Sequence, residues 1–337
     1  MIKPVLINFY RFISPVFNAK TLIKQTGNRV FLPFYHSISN DNPAYIKNIY
    51  PVRNEKIFIN DLDFFCKNFK PVDLDFIVKK QKNDKPVFYL SFDDGLSEVY
   101  DIIAPILIKK GISASFFINT DFVDNKDLFY RYKASLIIEK YKNTQNKNGI
   151  LNKINNELNL QLNNKNFIRF IKSVDYNSKN ILDKTAPFFE LDFDTFLRTE
   201  KPYLNSEQIK ELIKQGFTIG SHSCSHPEYR TITIDEQIKQ TKESMEFITE
   251  KFNIKSHKIF SFPFTDFGVS KDFFNTIYKN KIIDFSFGSA GLKDDVFDNH
   301  FQRFSIDGTI ISADKLVKAE YLYFLTKKLF NKNKINR

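Results

Sequence analysis

Apolar runs that end in polar residues alternate along this chain with segments of helical periodicity. Residues 86–92 are apolar except for one serine, and Asp93, Asp94 and Gly95 follow them directly. A strand of a buried parallel sheet has this pattern, because apolar groups cover both of its faces. Apolar side chains recur at helical spacing over the next residues, so the stretch predicts a strand, a sharp turn at Gly95 and a helix.

Six further runs predict strands of the same kind, and helical segments separate nearly all of them. They cover residues 29–35, 113–119, 217–221, 258–263, 282–287 and 301–306. This alternation predicts an α/β fold with a parallel sheet, and both an open doubly wound sheet and a closed barrel fit it. Polar side chains follow the strand ends at His36, Asp93, Asp94, Asn119, His222, His226, Asp266 and Asp307. They would share one mouth in a (β/α) barrel of about seven parallel strands, which is the fold we favour.

One segment interrupts the alternation. Residues 124–202 are rich in Asn, Lys, Leu and Ile and have helical spacing without strand alternation. They predict a helical insertion between the third and fourth strands, which either covers the site or serves as scaffold. We therefore expect an N-terminal segment at 1–28, the main domain at 29–331 with this insertion, and a disordered tail at 332–337.

Charge and composition exclude some classes of function. The net charge is +11, but the lysines form no long block and no basic–aromatic motif accompanies them, which argues against nucleic-acid binding. A weak attraction to a membrane surface or an acidic glycan remains. The first 20 residues lack a signal-peptide pattern, and no apolar run is long enough to span a bilayer, so we expect a cytoplasmic protein. Those 20 residues would pack on the domain as a helix or lie on a membrane surface.

Two histidines and two carboxylates suggest a metal centre. His222 and His226 are four residues apart, a spacing that lets two imidazoles reach one metal ion. With one carboxylate of the pair Asp93 and Asp94 they supply three ligands and leave positions open for water and substrate. The second carboxylate would take a proton from water, so the set predicts metal-assisted hydrolysis. A solvated Asp-Asp-Gly turn and two surface histidines would give the same sequence pattern.

Two of these stretches resemble a known family. Phe92–Gly95 and His222–Pro227 are similar to the first two signature motifs of the polysaccharide deacetylases, also called the NodB-homology or carbohydrate esterase family 4 group. The resemblance implies a distorted (β/α) barrel, a divalent metal that is often zinc, and removal of acetyl groups from N-acetylated sugars. It also implies that Asp93 is the general base and that Asp94, His222 and His226 bind the metal.

Two parts of the family pattern are less clear in this chain. The third motif of the family matches at Pro263 but lacks the arginine that many members have there. We expect four residues to line the substrate groove, namely Pro263, Phe262, Phe264 and Arg303. Family members supply a general acid from a histidine late in the chain, and no clear counterpart is present. His36 and Asp266 are the candidates for the acid.

Three functions remain open at this point. The first is a metal-dependent N-deacetylase, with zinc as the expected metal, that acts on an N-acetylated sugar in a glycan or a glycan precursor. Such a precursor would be made in the cytoplasm during assembly of a surface polysaccharide. The second is a deacetylase-like glycan-binding protein with little activity. The third is a metal-dependent hydrolase of another amide. The complete Asp-Asp-His-His set favours the first, and the unassigned acid favours the second.

Overall fold

A ring of parallel strands forms the centre of the computed structural model, which describes the backbone of residues 2–337 and the side chains of residues 7–337. The strands that it contains in these residues are β1 (Val30–Phe31), β2 (Pro33–Tyr35), β3 (Lys70–Pro71), β4 (Val87–Phe88), β5 (Leu90–Phe92), β6 (Ala114–Ile118), β7 (Thr218–Ser221), β8 (Ile259–Ser261), β9 (Phe285–Gly288), β10 (His300–Gln302) and β11 (Phe304–Ser305). Eight of them form one sheet in the order β10-β9-β8-β7-β6-β5-β2-β11, and the pairings are parallel.

One short segment closes this sheet into a barrel. β10 pairs with β9 at one edge and β11 pairs with β2 at the other, and only Arg303 separates β10 from β11. The same chain segment therefore pairs with both edges of the sheet. It closes a ring of seven parallel strands, in which β10 and β11 together count as one. This confirms the predicted α/β barrel of about seven parallel strands.

A smaller sheet extends the barrel at its amino end. β1 and β4 run on into β2 and β5 after a break of one residue each, and β3 pairs with β4 on the other side. Aromatic side chains of these strands, among them Phe31, Phe88 and Phe92, are fully buried between the strands and the surrounding helices, against Phe58 and Phe65. Because every strand is parallel, the polar residues that follow the strands all lie at the opposite, carboxyl end.

Helices surround the barrel. The structure contains α1 (Ile2–Ile13), α2 (Ala19–Thr26), α3 (Glu55–Asn68), α4 (Leu74–Val78), α5 (Ala104–Lys110), α6 (Tyr130–Asn143), α7 (Lys147–Leu158), α8 (Phe167–Ser173), α9 (Asn180–Thr185), α10 (Phe193–Glu200), α11 (Ser206–Lys214), α12 (Ile234–Lys251), α13 (Lys271–Lys279) and α14 (Ala313–Leu329). Asn205 caps α11 in a reciprocal pair with Gln208, which explains why that helix begins at Ser206. Among the described residues, none of the helices has both the length and the apolar character needed to cross a bilayer.

The segment 124–202 has a core of its own. Helices α6–α10 lie within it, and their apolar side chains form a cluster that includes Tyr132, Ile137, Phe167 and Leu182. The loop around Tyr45 and Ile46 packs into the same cluster. The segment is therefore a second helical layer that adjoins the barrel.

The two ends of the described chain meet on one side of the barrel. Helix α14 packs against α1 and α2, and the Tyr10 hydroxyl lies 2.5 Å from the hydroxyl of Thr326. The tail 332–337, expected to be disordered, instead pairs with the loop at Asp294, to which the Ile335 N–H donates a hydrogen bond of 2.9 Å. The guanidinium of Arg337 is buried between the carboxylates of Asp295, at 2.7 Å, and Asp266. A buried ion pair therefore anchors this tail.

We predict that Arg337→Ala lowers the free energy of unfolding by about 3 kcal/mol, because it leaves the buried carboxylates of Asp266 and Asp295 without their cation. Urea denaturation followed by circular dichroism measures the effect. Lys332→Ala, at an exposed position of the same tail, is the matched control and should change the value by less than about 0.5 kcal/mol. Equal effects of the two variants would show that the tail is not anchored through Arg337.

Candidate active site

The two adjacent carboxylates occupy the carboxyl end of β5. Asp94 and Gly95 both have left-handed backbone conformations, with φ of 74° and 66°. A Cβ on Gly95 would lie about 3.0 Å from the side chain of Ile118, so only glycine fits there. A left-handed aspartate costs free energy and persists only where the surrounding structure imposes it, which is common at functional sites. The turn thus directs Asp93 and Asp94 into the mouth of the barrel.

Asp94 meets both histidines of the second motif. Its Oδ1 lies 3.2 Å from His226 Nε2 and 3.5 Å from His222 Nε2. The two histidines follow β7 in a loop rather than a helix, and Ser223 and His226 are left-handed within it. The Ser223 hydroxyl accepts a hydrogen bond of 3.0 Å from the His226 N–H and so stabilises this turn.

The lone pairs at this site fit a metal ion. His222 Nδ1 donates to the backbone carbonyl of Ser261 at 2.8 Å, which leaves Nε2 without a proton and directed at Asp94. Among the described residues, Asp94 Oδ1, His222 Nε2 and His226 Nδ1 are buried and have no hydrogen-bond partner. Each of Asp94, His222 and His226 offers one ligand atom within 4.8 Å of the others. Asp94 Oδ1 and His222 Nε2 are thus buried, unpartnered acceptors that face each other, and His226 adds its Nε2, 3.2 Å from Asp94 Oδ1, to a donor set suited to a cation.

The protonation of this group also suits a cation. Burial lowers the pKa of His226 although the Asp94 carboxylate opposes the shift, so its imidazole is neutral at neutral pH. Burial alone would raise the pKa of Asp94, but the neighbouring imidazoles of His226 and His222 hold that pKa well below its usual range. An ionised carboxylate and a neutral imidazole are the forms that coordinate divalent metals.

Asp93 is held by Arg303. The guanidinium donates to both carboxylate oxygens, at 2.8 and 2.7 Å, and the Ser261 hydroxyl donates to one of them at 3.2 Å. The ring of Phe34 lies 4.2 Å from the guanidinium carbon. Burial would raise the pKa of Asp93, but the charge and hydrogen bonds of Arg303, together with the charges of His222 and His36, keep the pKa below its usual value. Asp93 is therefore an oriented and ionised carboxylate.

The expectation that Arg303 lines the substrate groove is wrong. Its side chain is buried, and its Nε donates to the backbone carbonyl of Gly288 at 3.2 Å. The residue lies where the barrel closes, between β10 and β11, so its side chain is directed to the barrel interior. Its partner there is Asp93.

His36, one of the two candidates for the acid, lies at the end of β2. Its Nδ1 is 2.9 Å from the carboxylate of Asp307, which follows β11 and also accepts a bond from the His36 backbone N–H. Burial would lower the pKa of His36, but the hydrogen bond to Asp307 and the charges of Asp94, Asp307 and Asp93 raise it to about 9. The imidazole is therefore protonated at neutral pH, within the field of the two site carboxylates.

Asp266, the other candidate, has different neighbours. Its carboxylate lies 3.1 Å from His300 Nε2, accepts a bond of 2.7 Å from Gln302 and pairs with Arg337. Burial opposes ionisation, but these partners hold the pKa of Asp266 far below its usual range. An ionised carboxylate has no proton to donate, so these partners disfavour Asp266 as the acid.

The residues of the third motif divide between the core and the site. Phe262 is buried in an aromatic cluster, with ring centroids 5.4 Å from Tyr229 and 5.3 Å from Phe274. The expectation that Phe262 lines the groove is therefore wrong. Pro263 is also buried, whereas Phe264 is half-buried in a left-handed conformation. Phe264 is the member of this motif that reaches the metal-ligand group.

Covering the site is one of the two roles expected of the helical insertion, and its contacts with the ligand group fulfil that role. Tyr132 of α6 donates its hydroxyl proton to Asp94 Oδ2 at 2.9 Å. The ring of Phe129 lies 4.4 Å from that of His226, and the ring of Phe264 lies 4.7 Å from it on another side. Arg131 stacks on Phe264 at 4.5 Å. The insertion thus covers the site, and nothing in the local sequence of Tyr132 marked it.

Comparisons with known proteins agree with this geometry. The sequence matches the family model described as polysaccharide deacetylase over residues 80–164 and 172–278, more than half of the chain. No match to a curated protein is found at the sequence level.

Solved structures share the fold. The deacetylase PplD of Streptococcus pyogenes, in complex with acetate, is 14% identical, with 86% of this chain and 97% of that chain covered and a TM-score of 0.54. IcaB from Ammonifex degensii is 13% identical, with 88% and 98% covered and a TM-score of 0.53. A polysaccharide deacetylase from Bacillus cereus is 15% identical, with 86% and 68% covered and a TM-score of 0.51.

We predict that Tyr132→Phe weakens binding of a divalent metal about tenfold or more, because Asp94 loses the hydrogen bond that orients it. Competition with a zinc-sensitive dye measures the dissociation constant. Tyr141→Phe in the same helix removes a hydroxyl bonded to Asn164 instead and is the matched control, with no expected change. Unchanged affinity in Tyr132→Phe would mean that the insertion does not support the ligand group.

Proposed function

This chain belongs to the polysaccharide deacetylase family and is a hydrolase of the carbon–nitrogen bond in acetylated sugars, and on that premise we propose that it is a zinc-dependent N-deacetylase of a glycan or glycan precursor. One observation carries the proposal. Asp94, His222 and His226 bring ligand atoms within 4.8 Å of one another, Asp94 Oδ1 and His222 Nε2 have no hydrogen-bond partner, and the ionised Asp93 directly precedes Asp94 in sequence. Three ligands of this type leave coordination positions open, as catalytic sites require.

Asp94, His222 and His226 would hold the metal. One carboxylate and two imidazoles form a donor set that suits zinc. When bound, such an ion polarises the acetamide carbonyl and makes water a stronger acid. Tyr132 and Ser261 fix the orientations of Asp94 and His222 through their hydrogen bonds, so the protein arranges the ligands in advance.

Asp93 accepts the proton of the attacking water in this proposal. Its carboxylate is ionised because of Arg303 and cannot turn away, since both of its oxygens are bonded to the guanidinium. The water oxygen forms the new bond to the acetyl carbon, and its proton passes to the base. Arg303 thus keeps Asp93 deprotonated and correctly oriented without touching the substrate.

His36 donates the proton that the leaving amine needs. Asp307 binds Nδ1 and so leaves the Nε2 proton for donation, in the protonated state that the raised pKa maintains. When the carbon–nitrogen bond breaks, the nitrogen takes this proton, and the products are acetate and a free amino sugar. A divalent cation would offset the charge of Asp94 and bring the pKa of His36 closer to neutrality.

The alternatives are less favoured. The lack of an identified general acid suggested a glycan-binding protein with little activity. In this proposal His36, paired with Asp307, is that general acid. A hydrolase of another amide would use the same centre, so only the substrate distinguishes it. Membership of the polysaccharide deacetylase family favours a sugar.

We predict that the protein with added zinc releases acetate from N-acetylglucosamine oligomers. Asp93→Asn should lower kcat at least a thousandfold with zinc still bound, because the base is lost and the ligands remain. His222→Ala should lose zinc and activity together. Acetate assay and metal analysis of each variant measure both effects. Full activity of His222→Ala, or release only from a non-sugar amide, would contradict the proposed site or substrate.

We predict that Asp307→Asn moves the alkaline limb of the kcat profile to lower pH and reduces kcat. Asp307 raises the pKa of His36, so its loss lowers that pKa, and the acid is deprotonated at a lower pH. Acetate release measured from pH 5 to pH 10 gives the limb. The matched control is Asp298→Asn, an exposed carboxylate paired with Lys80. An alkaline limb identical to that of the native protein would exclude His36 as the acid.

A further inference from the structure

Nearly all of the net charge of this protein belongs to its two terminal segments. Residues 1–28 contain four basic residues and no acidic ones, and residues 315–337 contain seven basic residues and one acidic. Together these segments carry +10 of the total net charge of +11. They pack against each other through α1, α2 and α14. Arg337 is buried against two carboxylates and Lys318 pairs with Asp314. The basic side chains that these segments expose include Lys20, Lys24, Lys328, Lys332 and Lys334.

The same segments expose apolar side chains. Twelve large apolar side chains are exposed among those that the structure describes, and six of them lie here, namely Phe9, Phe12, Val16, Phe17, Leu329 and Phe330. Phe9 and Phe12 are three residues apart and share one face of α1, whereas Tyr10 is directed to α14. Phe12 is 82% and Val16 is 85% exposed. Neither the barrel nor its helices bury this apolar face.

A basic groove adjoins this surface at the amino end of the barrel. It has a volume of about 880 Å³, and Lys20 and Lys24 of α2 are among the residues that line it. Arg29, Lys67, Lys70 and Lys85 also line it, against the single acidic residue Asp84. Arg29 precedes β1 and Lys70 begins β3, so the groove lies at the end of the barrel opposite to the mouth.

We propose that this terminal-helix surface, formed by residues 9–24 and 327–334, docks on an anionic lipid bilayer. Aromatic and aliphatic side chains would enter the interface while lysines contact lipid phosphates, as interfacial amphipathic helices do. A second copy of the chain fits this surface less well than an anionic bilayer does, because two faces with the same strong positive charge repel each other. Since the groove is at the amino end, the catalytic mouth faces away from the bilayer and towards substrate in solution.

Single-tryptophan variants test the surface and its orientation, because the native chain has no tryptophan. We expect the emission of Phe12→Trp to shift to shorter wavelength with vesicles of phosphatidylcholine and phosphatidylglycerol, and not with phosphatidylcholine alone. Phe267→Trp, 73% exposed in the loop after β8, should not shift with either vesicle. A shift at Phe267 alone would overturn the orientation, and no shift at Phe12 would overturn the docking.

Charge reversal tests the electrostatic part. The triple variant Lys20→Glu, Lys24→Glu and Lys332→Glu should bind anionic vesicles at least tenfold more weakly in sedimentation, and binding of the native protein should fall as salt rises. A triple variant with the same charge change at exposed positions elsewhere is the matched control, namely Lys109→Glu, Lys239→Glu and Lys279→Glu.

The remaining outcomes are also decisive. Equal loss in both triple variants would mean that total charge rather than this surface attracts the vesicle. A blue shift of Phe12→Trp that grows with protein concentration without vesicles would identify a second copy as the occupant. Either result overturns the proposal, and neither depends on the catalytic activity of the protein.

Discussion

The buried ion pair between Arg303 and Asp93 connects the architecture of this protein to its chemistry. Arg303 is the one residue between the two strand segments that close the barrel, and its guanidinium binds both oxygens of Asp93. A buried carboxylate that lost this partner would be protonated or would destabilise the fold. The closure of the barrel and the ionisation of Asp93 therefore depend on the same contact.

Other buried charges at the mouth are compensated in the same way. Asp307 pairs with His36, Tyr132 donates to Asp94, and Ser261 accepts from His222 through its carbonyl and donates to Asp93 through its hydroxyl. The partners come from different strands or from the insertion. Within the ligand group, Asp94 Oδ1 and His222 Nε2 are without a hydrogen-bond partner and lie 3.5 Å apart. Ligands that are oriented by such hydrogen bonds while their metal-facing atoms stay unpartnered are prepared for a cation.

The helical insertion changes what the barrel presents to a substrate. Phe129 and Tyr132 cover His226 and Asp94 from one side, and Arg131 stacks on Phe264. An aromatic wall of this kind excludes water from one side of the ligand group and strengthens the electrostatic interactions within it. The insertion supplies most of an apolar cluster that Tyr45, Ile46 and Leu96 of the barrel part complete, and this packing fixes the positions of these side chains.

The sequence alone determined the local features of this protein. Apolar runs that end in Asp93–Asp94 and in His222 predicted the parallel barrel and its ligand group, because strand periodicity and residue chemistry are local properties. Only the tertiary structure decided which distant groups meet. It pairs Arg303 with Asp93, Asp307 with His36 and Arg337 with Asp266. It also places Phe262, which was expected in the groove, in the core. Such pairings join residues far apart in sequence, and local periodicity carries no information about how strands and loops come together in space.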